Sequence, residues 1–438
     1  MRRIVLAIAL VASSAIAGNP ILAQNRSSDE YTRYELLDPA SAKFRIIYDV
    51  TAVTPGAPAY YNPIRKGSEA SDESVIDLMT GEPLKFEVVT GSQAREGGFT
   101  RADPDTSYIK VILARPVPAN GGEGRIRILK TYKDAKSYYV DGDTIVFARP
   151  LGIRRNSVIL PAGYEIVSCN VPVQVIEEPD RRIGISFIHT FPGEADLILK
   201  ARKVTGRAAD TNAGAGMSST ASAAQSSGGP PPAPVPARNM AQNSPSLPDL
   251  RDIRVSERAR QDREIVYFMQ QPESHAFRLY HDYTESREGV DQYVNIVRVG
   301  SKSSNPSAKI LDTGEVLKTM TLKGEELKKA VHGDIGEPIE ADTEGVVISF
   351  PPVQKGRSVR LRIEETYEDP SRYGLLGGQL VWHRAFGRPA NAVLLPEGWY
   401  LTVSAVPATI TLEDGKTRLD FVNPRNDEID TYIKARRR

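Results

Sequence analysis

The sequence predicts an all-β protein: two tandem repeats of an antiparallel β-sandwich, immunoglobulin-like or jelly-roll-like, joined by a disordered linker. Three observations predict it. The chain aligns on itself, short alternating strands punctuated by turns fill both aligned parts, and an Ala/Ser/Gly/Pro-rich stretch separates them.

The self-alignment has two ungapped blocks. Residues 39–85 match 272–318 at an offset of 233, with 20 of 47 positions identical. Residues 131–172 match 366–407 at an offset of 235, with 15 of 42 identical. Unrelated chains of average composition share about one position in sixteen, so chance is excluded. At 438 residues the chain has length for two or three domains, each able to bury a core.

In chain order, Met1-Arg2-Arg3 precedes an apolar run from Ile4 to Ala17, which marks residues 1–23 as a secretory signal peptide. Ala15-Ile16-Ala17 or Ala23 supplies the exit. The run is short for a membrane span, so the mature chain is expected to be periplasmic or secreted, with no membrane insertion. Losing Arg2 and Arg3 from 56 basic residues leaves 54 against 55 acidic ones. Near-neutrality argues against nucleic acid as a partner.

Residues 28–203 form the first repeat. Phe44, Ile46, Tyr48 and Val50 share one face of an extended segment, and Phe277, Leu279 and His281 answer to them in the second repeat, 251–438. Arg125–Ile128 and Val359–Glu364 alternate with arginines outward; Ile183–Phe187 and Leu419–Phe421 repeat the pattern. Turns fall at Thr80-Gly81, Asp141-Gly142, Ala162-Gly163 and Asp414-Gly415. Between the repeats, residues 204–250 centre on Pro230–Pro236 and read as a flexible linker spanning roughly 35–40 Å. Arg251–Arg263 reads as a short helix leading into the second repeat. Gly324–His332 is the one clear helical pattern, in the segment where the copies differ.

The strand-and-turn rhythm resembles the sandwich lobes that precede the catalytic domain in some secreted metallopeptidases. No zinc-binding helix follows, and no residue is carried over from that resemblance.

Residues able to do chemistry are sparse. His-Glu-x-x-His and Gly-x-Ser-x-Gly are both absent from the sequence. Of the five histidines, His275 and His281 are read on one strand face about 20 Å apart, too far for one metal. His281 replaces Tyr48, and a packed ring is the simpler reading. Cys169, the single cysteine, is read as a small buried hydrophobe. Gly67–Ser74 carries Glu69, Asp72 and Glu73, but Lys302, Asn305 and Pro306 stand at the matching positions, which favours a solvated loop over a calcium ligand set. No catalytic, cofactor-binding or metal-binding residue is assigned.

One polar set recurs in both copies: Arg45/Arg278, Asp49/Asp282, Asn62/Asn295, Arg65/Arg298, Asp134/Asp369, Arg149/Arg384 and Asn156/Asn391. Either these fix the fold through buried pairs and loop hydrogen bonds, or they line a ligand pocket present twice. The structural role needs fewer assumptions. Trp382 and Trp399 match Phe147 and Tyr164, marking core positions for large rings. Tyr60-Tyr61 and Tyr138-Tyr139 could each offer at most one ring to a sugar on a given face.

The functional expectation is a non-catalytic, exported binding or scaffolding module of the cell envelope, its partner an envelope protein or glycan. Two alternatives stand beside it: a hydrolase of peptides or glycans with its site in the second repeat or between repeats, and a pair of carbohydrate-binding modules.

Overall fold

The computed structural model describes residues 27–119, 123–189, 193–205, 263–332, 338–425 and 428–438. The signal-peptide assignment and most of the linker lie outside these residues. So does the helix read over 251–263, except that Arg263 begins a strand.

The chain is all-β among the described residues. Its first elements are β1 (Ser27–Leu36), β2 (Lys43–Ala52), β3 (Ala59–Pro63), β4 (Glu69–Asp77), β5 (Phe86–Thr90), α1 (Gly91–Glu96) and β6 (Ser107–Ile112). There follow β7 (Gly124–Lys133), β8 (Tyr138–Asp141), β9 (Thr144–Leu151), β10 (Arg155–Ile159), β11 (Tyr164–Glu177), β12 (Ile183–Ile188) and β13 (Ala195–Lys203). Beyond residue 262 the same order recurs. It begins with β14 (Arg263–Met269), β15 (Ala276–Glu285), β16 (Gln292–Ile296), β17 (Lys302–Ile310), β18 (Val316–Lys323), α2 (Gly324–Ala330) and β19 (Glu344–Ser349). It ends with β20 (Val359–Glu368), β21 (Tyr373–Leu376), β22 (Gln379–Phe386), β23 (Ala390–Leu394), β24 (Trp399–Glu413), β25 (Lys416–Val422) and β26 (Ile429–Arg437).

Among the described residues these elements fall into two compact units, unit 1 drawn from 27–140, 147–161 and 188–196, and unit 2 from 141–146, 162–187, 197–205 and 263–438. In unit 1, β2 pairs antiparallel with β1 and β7, and β4 pairs with β7. A second sheet runs β3-β6-β5. The alternation in β2 buries Phe44, Ile46, Tyr48 and Val50, and the Phe44 ring meets Tyr34 and Tyr132 inside. One pairing departs from the antiparallel expectation: β10 runs parallel to β1. More than a hundred residues separate the two strands, ample length for the crossover that parallel pairing requires.

Unit 2 contains the same registers. Tyr31 pairs with Asp49 as Glu264 pairs with Asp282, and Asp49 with Arg127 as Asp282 with Arg362. The parallel pair recurs too, Tyr31↔Arg155 answering to Glu264↔Ala390. Each of β4 and β17 carries a bulge, at Ser71/Ser74 and Ser304/Ser307. Asp72 and Asn305 lie in it at φ 55° and 52°, a left-handed conformation those two side chains tolerate. The acidic segment expected to be a loop is therefore mostly strand, because β7 offers an edge for it to pair with.

In unit 2, β11 pairs antiparallel with β24 through Cys169↔Ile410, Val173↔Ala408 and Val175↔Ser404. Under the sequence alignment Cys169 corresponds to Ser404 and Val175 to Ile410, so the pairing is reciprocal about Val173 and Ala408, as in an isologous contact. This pairing places residues 162–187 in unit 2.

Two readings are corrected. The helix in the second half is not confined to a variable connection: α2 has a counterpart in α1, which begins at the equivalent glycine. A Cβ on Gly91 would lie 1.9 Å from Asp103 O, and one on Gly324 would lie 2.5 Å from Ala341 O, so each helix starts where another chain segment passes too close for a side chain. His275 does not share a strand face with His281. It follows a 3-10 turn, Pro272–Ser274, in the left-handed region at φ 54°, as Ala42 does at 52°. Its Nδ1 lies 2.7 Å from Tyr373 O.

Candidate functional site

The inward faces of β1, β2 and β7 do not end in hydrocarbon. Thr32, Tyr34, Tyr48, Lys130 and Tyr132 lie at one end. With Tyr60, Tyr61 and Asn62 of β3 and the chain around Pro150–Ile153 they line a cleft of about 610 Å³ in unit 1. The same alternation in β14, β15 and β20 brings Ile265, Tyr267, His281, Glu365 and Tyr367 against Tyr293 and Asn295 of β16. This cleft, in unit 2, measures about 250 Å³. Offsets of 233 and 235 convert one lining into the other nearly residue by residue. Glu194 and Glu428 complete it, each one residue ahead of a final strand.

Three recurrent pairs, Asn62/Asn295, Arg65/Arg298 and Arg149/Arg384, line these clefts. The others build walls or turns. Asp49 accepts two bonds from Arg127, at 2.6 and 2.8 Å, and Asp282 two from Arg362, at 2.7 and 2.8 Å. Asn156 and Asn391 donate to Ile153 O and Arg388 O, tying the chain that borders each cleft. Arg278 lies over the Phe268 ring at 4.7 Å, and Glu364 is 3.8 Å away.

Each cleft has an arginine inside a box of rings. Arg149 lies over Tyr34, Phe44 and Tyr132, at 5.5 to 5.9 Å, and Arg384 over Tyr267, Phe277 and Tyr367, at 5.1 to 5.5 Å. Asp134 lies 3.2 Å from Arg149 and accepts further bonds from Ser68, Ser137 and the Lys136 amide. Burial alone would raise the Asp134 carboxyl, but these hydrogen bonds outweigh it and hold the group below its ordinary value. Asp369 instead accepts from Ser301 and Ser371, and Arg384 Nε and Nη1 are buried with no hydrogen-bond partner among the described residues.

The buried ends carry opposite kinds of ionisable group, a base and an acid. In unit 1 Lys130 Nζ donates to Asn62 Oδ1 at 2.5 Å and stands 4.9 Å over the Tyr132 ring. Burial, reinforced by Arg149, pushes its amine down to about 7. In unit 2 Glu365 occupies that position, and the asparagine reverses: Asn295 Nδ2 donates to Glu365 at 2.8 Å and to Tyr367 Oη at 3.0 Å, while Ser303 donates to the other carboxylate oxygen at 3.0 Å. Burial still raises the Glu365 carboxyl above its usual range. Asparagine carries both a donor and an acceptor, so one residue type serves either charge.

The remaining aromatic positions differ in kind. Tyr48 donates to Glu30 and lies 3.1 Å from the Tyr60 hydroxyl; burial raises its phenol far above the ordinary value. At the matching place His281 Nδ1 lies 3.3 Å from Tyr293 Oη, which also accepts from Arg388. Tyr61 stacks on Phe99 and donates to Gly97 O, and Tyr60 and Tyr61 both line the cleft as buried rings rather than as an exposed platform. Tyr138 is buried and Tyr139 exposed. Trp382, Trp399 and Phe147 are core residues, whereas Tyr164, which matches Trp399, is only partly buried, so the large-ring reading holds for three of the four. Cys169 lies buried on β11, where burial raises its thiol to about 11.

Sequence reasoning did not single out Lys130, Glu365, Glu194 or Tyr132 for this site. The signal for Lys130 was present as a lysine on the inward register of an alternating strand, Arg127-Ile128-Leu129-Lys130-Thr131-Tyr132.

No family model matches the chain, and no curated protein matches it. Among solved structures, it is similar to a mutant M1 zinc metallopeptidase from Deinococcus radiodurans bound to a Tyr-Ser-Ala substrate. The TM-score there is 0.26 and the identity 11%, covering 40% of this chain and 41% of that one. It is similar also to an aminopeptidase N family protein from Idiomarina loihiensis, with TM-score 0.24 and identity 9%, covering 39% and 29%. This chain thus spans less than half the length of either. TM-scores this low assign neither a shared fold nor a shared activity.

Proposed function

We propose that this is a non-catalytic binding module exported to the cell envelope, holding its ligand, an envelope protein or glycan, in the clefts of its β-units. The observation that carries this reading is the recurrence of one cleft, in the same place on the same strands, with its asparagine, arginine and tyrosine lining retained while the charge at its buried end is exchanged. A purely structural polar network would gain nothing from that exchange, since either charge is costly to bury. A binding site gains a second specificity. Tyr48, Tyr61, Tyr293 and Glu365 are engaged in hydrogen bonds within the walls, which positions them for recognition.

The test is a ligand screen of the full chain by thermal shift and calorimetry against peptides and oligosaccharides, with product analysis of every mixture. Binding without product is expected. Turnover of any ligand would overturn the non-catalytic part of the reading.

A further inference from the structure

We propose that the unit 1 cleft is a carboxylate-binding site that takes the anionic end of its ligand inward, against Lys130, Arg65 and Arg149. The proposal rests on the binding-module reading above and names the chemistry of one of its clefts.

The first support is unspent donors. In its ammonium form Lys130 has three N–H groups and bonds Asn62 with one. The Arg65 side chain reaches a single backbone carbonyl, Pro150 O, at 3.4 Å and forms no ion pair among the described residues. The comparison with unit 2 is the second. There Arg298 is paired with Glu428 at 3.0 Å, and Glu365 accepts hydrogen bonds from Asn295 and Ser303, so that cleft engages its own charged groups. Glu194, the counterpart of Glu428, is exposed and makes no such pair among the described residues. The third support is room: the unit 1 cleft is more than twice the size of its counterpart.

The groups facing Lys130 are Arg149 from β9, Glu73 from β4, Asn62 from β3 and the Tyr132 ring on its own strand. Arg65, after β3, lines the same cleft, as does Glu30 of β1, which is engaged by Tyr48. An incoming carboxylate gives Lys130 and Arg65 the ion-pair partner that neither has among the described residues, and favours the ammonium form of Lys130. Binding therefore takes up a proton, and affinity falls as pH rises above about 7, the value of the free cleft.

A peptide C-terminus and a uronic acid both present this carboxylate. Isothermal calorimetry on the full chain distinguishes them with two matched pairs: N-acetyl-alanyl-phenylalanine against its C-terminal amide, and digalacturonate against its methyl ester. The expected result is that the acid of one pair binds about tenfold or more tighter than its neutral partner. That affinity falls by a similar factor in both Lys130→Met and Arg65→Gln, but not in the wall variant Asp49→Asn. Heats that vary with buffer ionisation near pH 7.5 would show the proton uptake. Arg65 is partly exposed, so its variant tests the site without altering the buried end. Equal binding of acid and neutral forms, or affinity indifferent to both substitutions, overturns the carboxylate site and leaves the binding-module reading standing. Failure of both acids to bind overturns it as well. Hydrolysis of a probe that still prefers the acid form supports the site while overturning the non-catalytic reading.

Discussion

The clefts of the two units differ most at one position, where Lys130 in unit 1 stands in the place of Glu365 in unit 2. Around that exchange the walls are alike in kind: a ring-boxed arginine, an asparagine and a tyrosine at the same strand registers. The difference shows that a β-scaffold tolerates either sign of buried charge when an adjacent amide can reverse. It also shows that the cost of burial is met differently. Glu365 is compensated by hydrogen bonds from Asn295 and Ser303, whereas Ser303 answers to Ala70 in unit 1 and Lys130 has Asn62.

The largest expected effect breaks the symmetry of the arginine boxes. Asp134→Ala removes the carboxylate beside Arg149 and leaves a buried cation unpaired, so it should cost about 3–5 kcal/mol. Asp369→Ala breaks hydrogen bonds to two serines and should cost about 1–3 kcal/mol. Urea denaturation of the two variants checks the ranking; equal losses would show that Arg149 does not depend on Asp134.

Next in size are the buried charges, whose pH dependences should run in opposite directions. The folded-state value of Lys130, about 7, lies below its ordinary 10.5. Its penalty on stability is therefore fully present below pH 7, shrinks between 7 and 10.5, and vanishes above. Lys130→Met should stabilise by a few kcal/mol at about pH 6 and by little near pH 10.5. The Glu365 carboxyl is raised, so its ionised form is the penalised one. Glu365→Gln should be close to neutral below pH 4.5 and stabilising once pH exceeds the raised folded value. Thermal melts across roughly pH 4–10 read both. Parallel profiles would refute the assignment of opposite charges.

The smallest effect sharpens the comparison by showing what the units share. Asp49→Asn loosens a bidentate pair with a partly exposed Arg127, and a loss of up to about 1 kcal/mol is expected. Salt titration of its denaturation midpoint checks it, since screening should shrink the difference between the wild type and this variant.

Much of the architecture was legible in the sequence because strand burial has a period of two. Phe44, Ile46, Tyr48 and Val50 could be placed on an inner face without coordinates, and they are buried there. The short helix α1 was missed although its capping box, Thr90 with Gln93, was readable: six residues give no helical period to detect. His275 was misplaced because a 3-10 turn shifts the start of the strand by one residue, which a period-two count cannot see. Of the seven recurrent polar pairs, sequence could not separate those that line a cleft from those that brace a wall.

By itself, then, the sequence determined the all-β class, the turns, the inward registers and the recurrence of one pattern along the chain, since all of these are local or come from comparing the chain with itself. Tertiary structure alone decided which inward residues meet. Lys130 and Asn62 are 68 residues apart, and Glu365 and Asn295 are 70 apart. Contacts of that span depend on how sheets face one another, which alternation along a single strand does not encode.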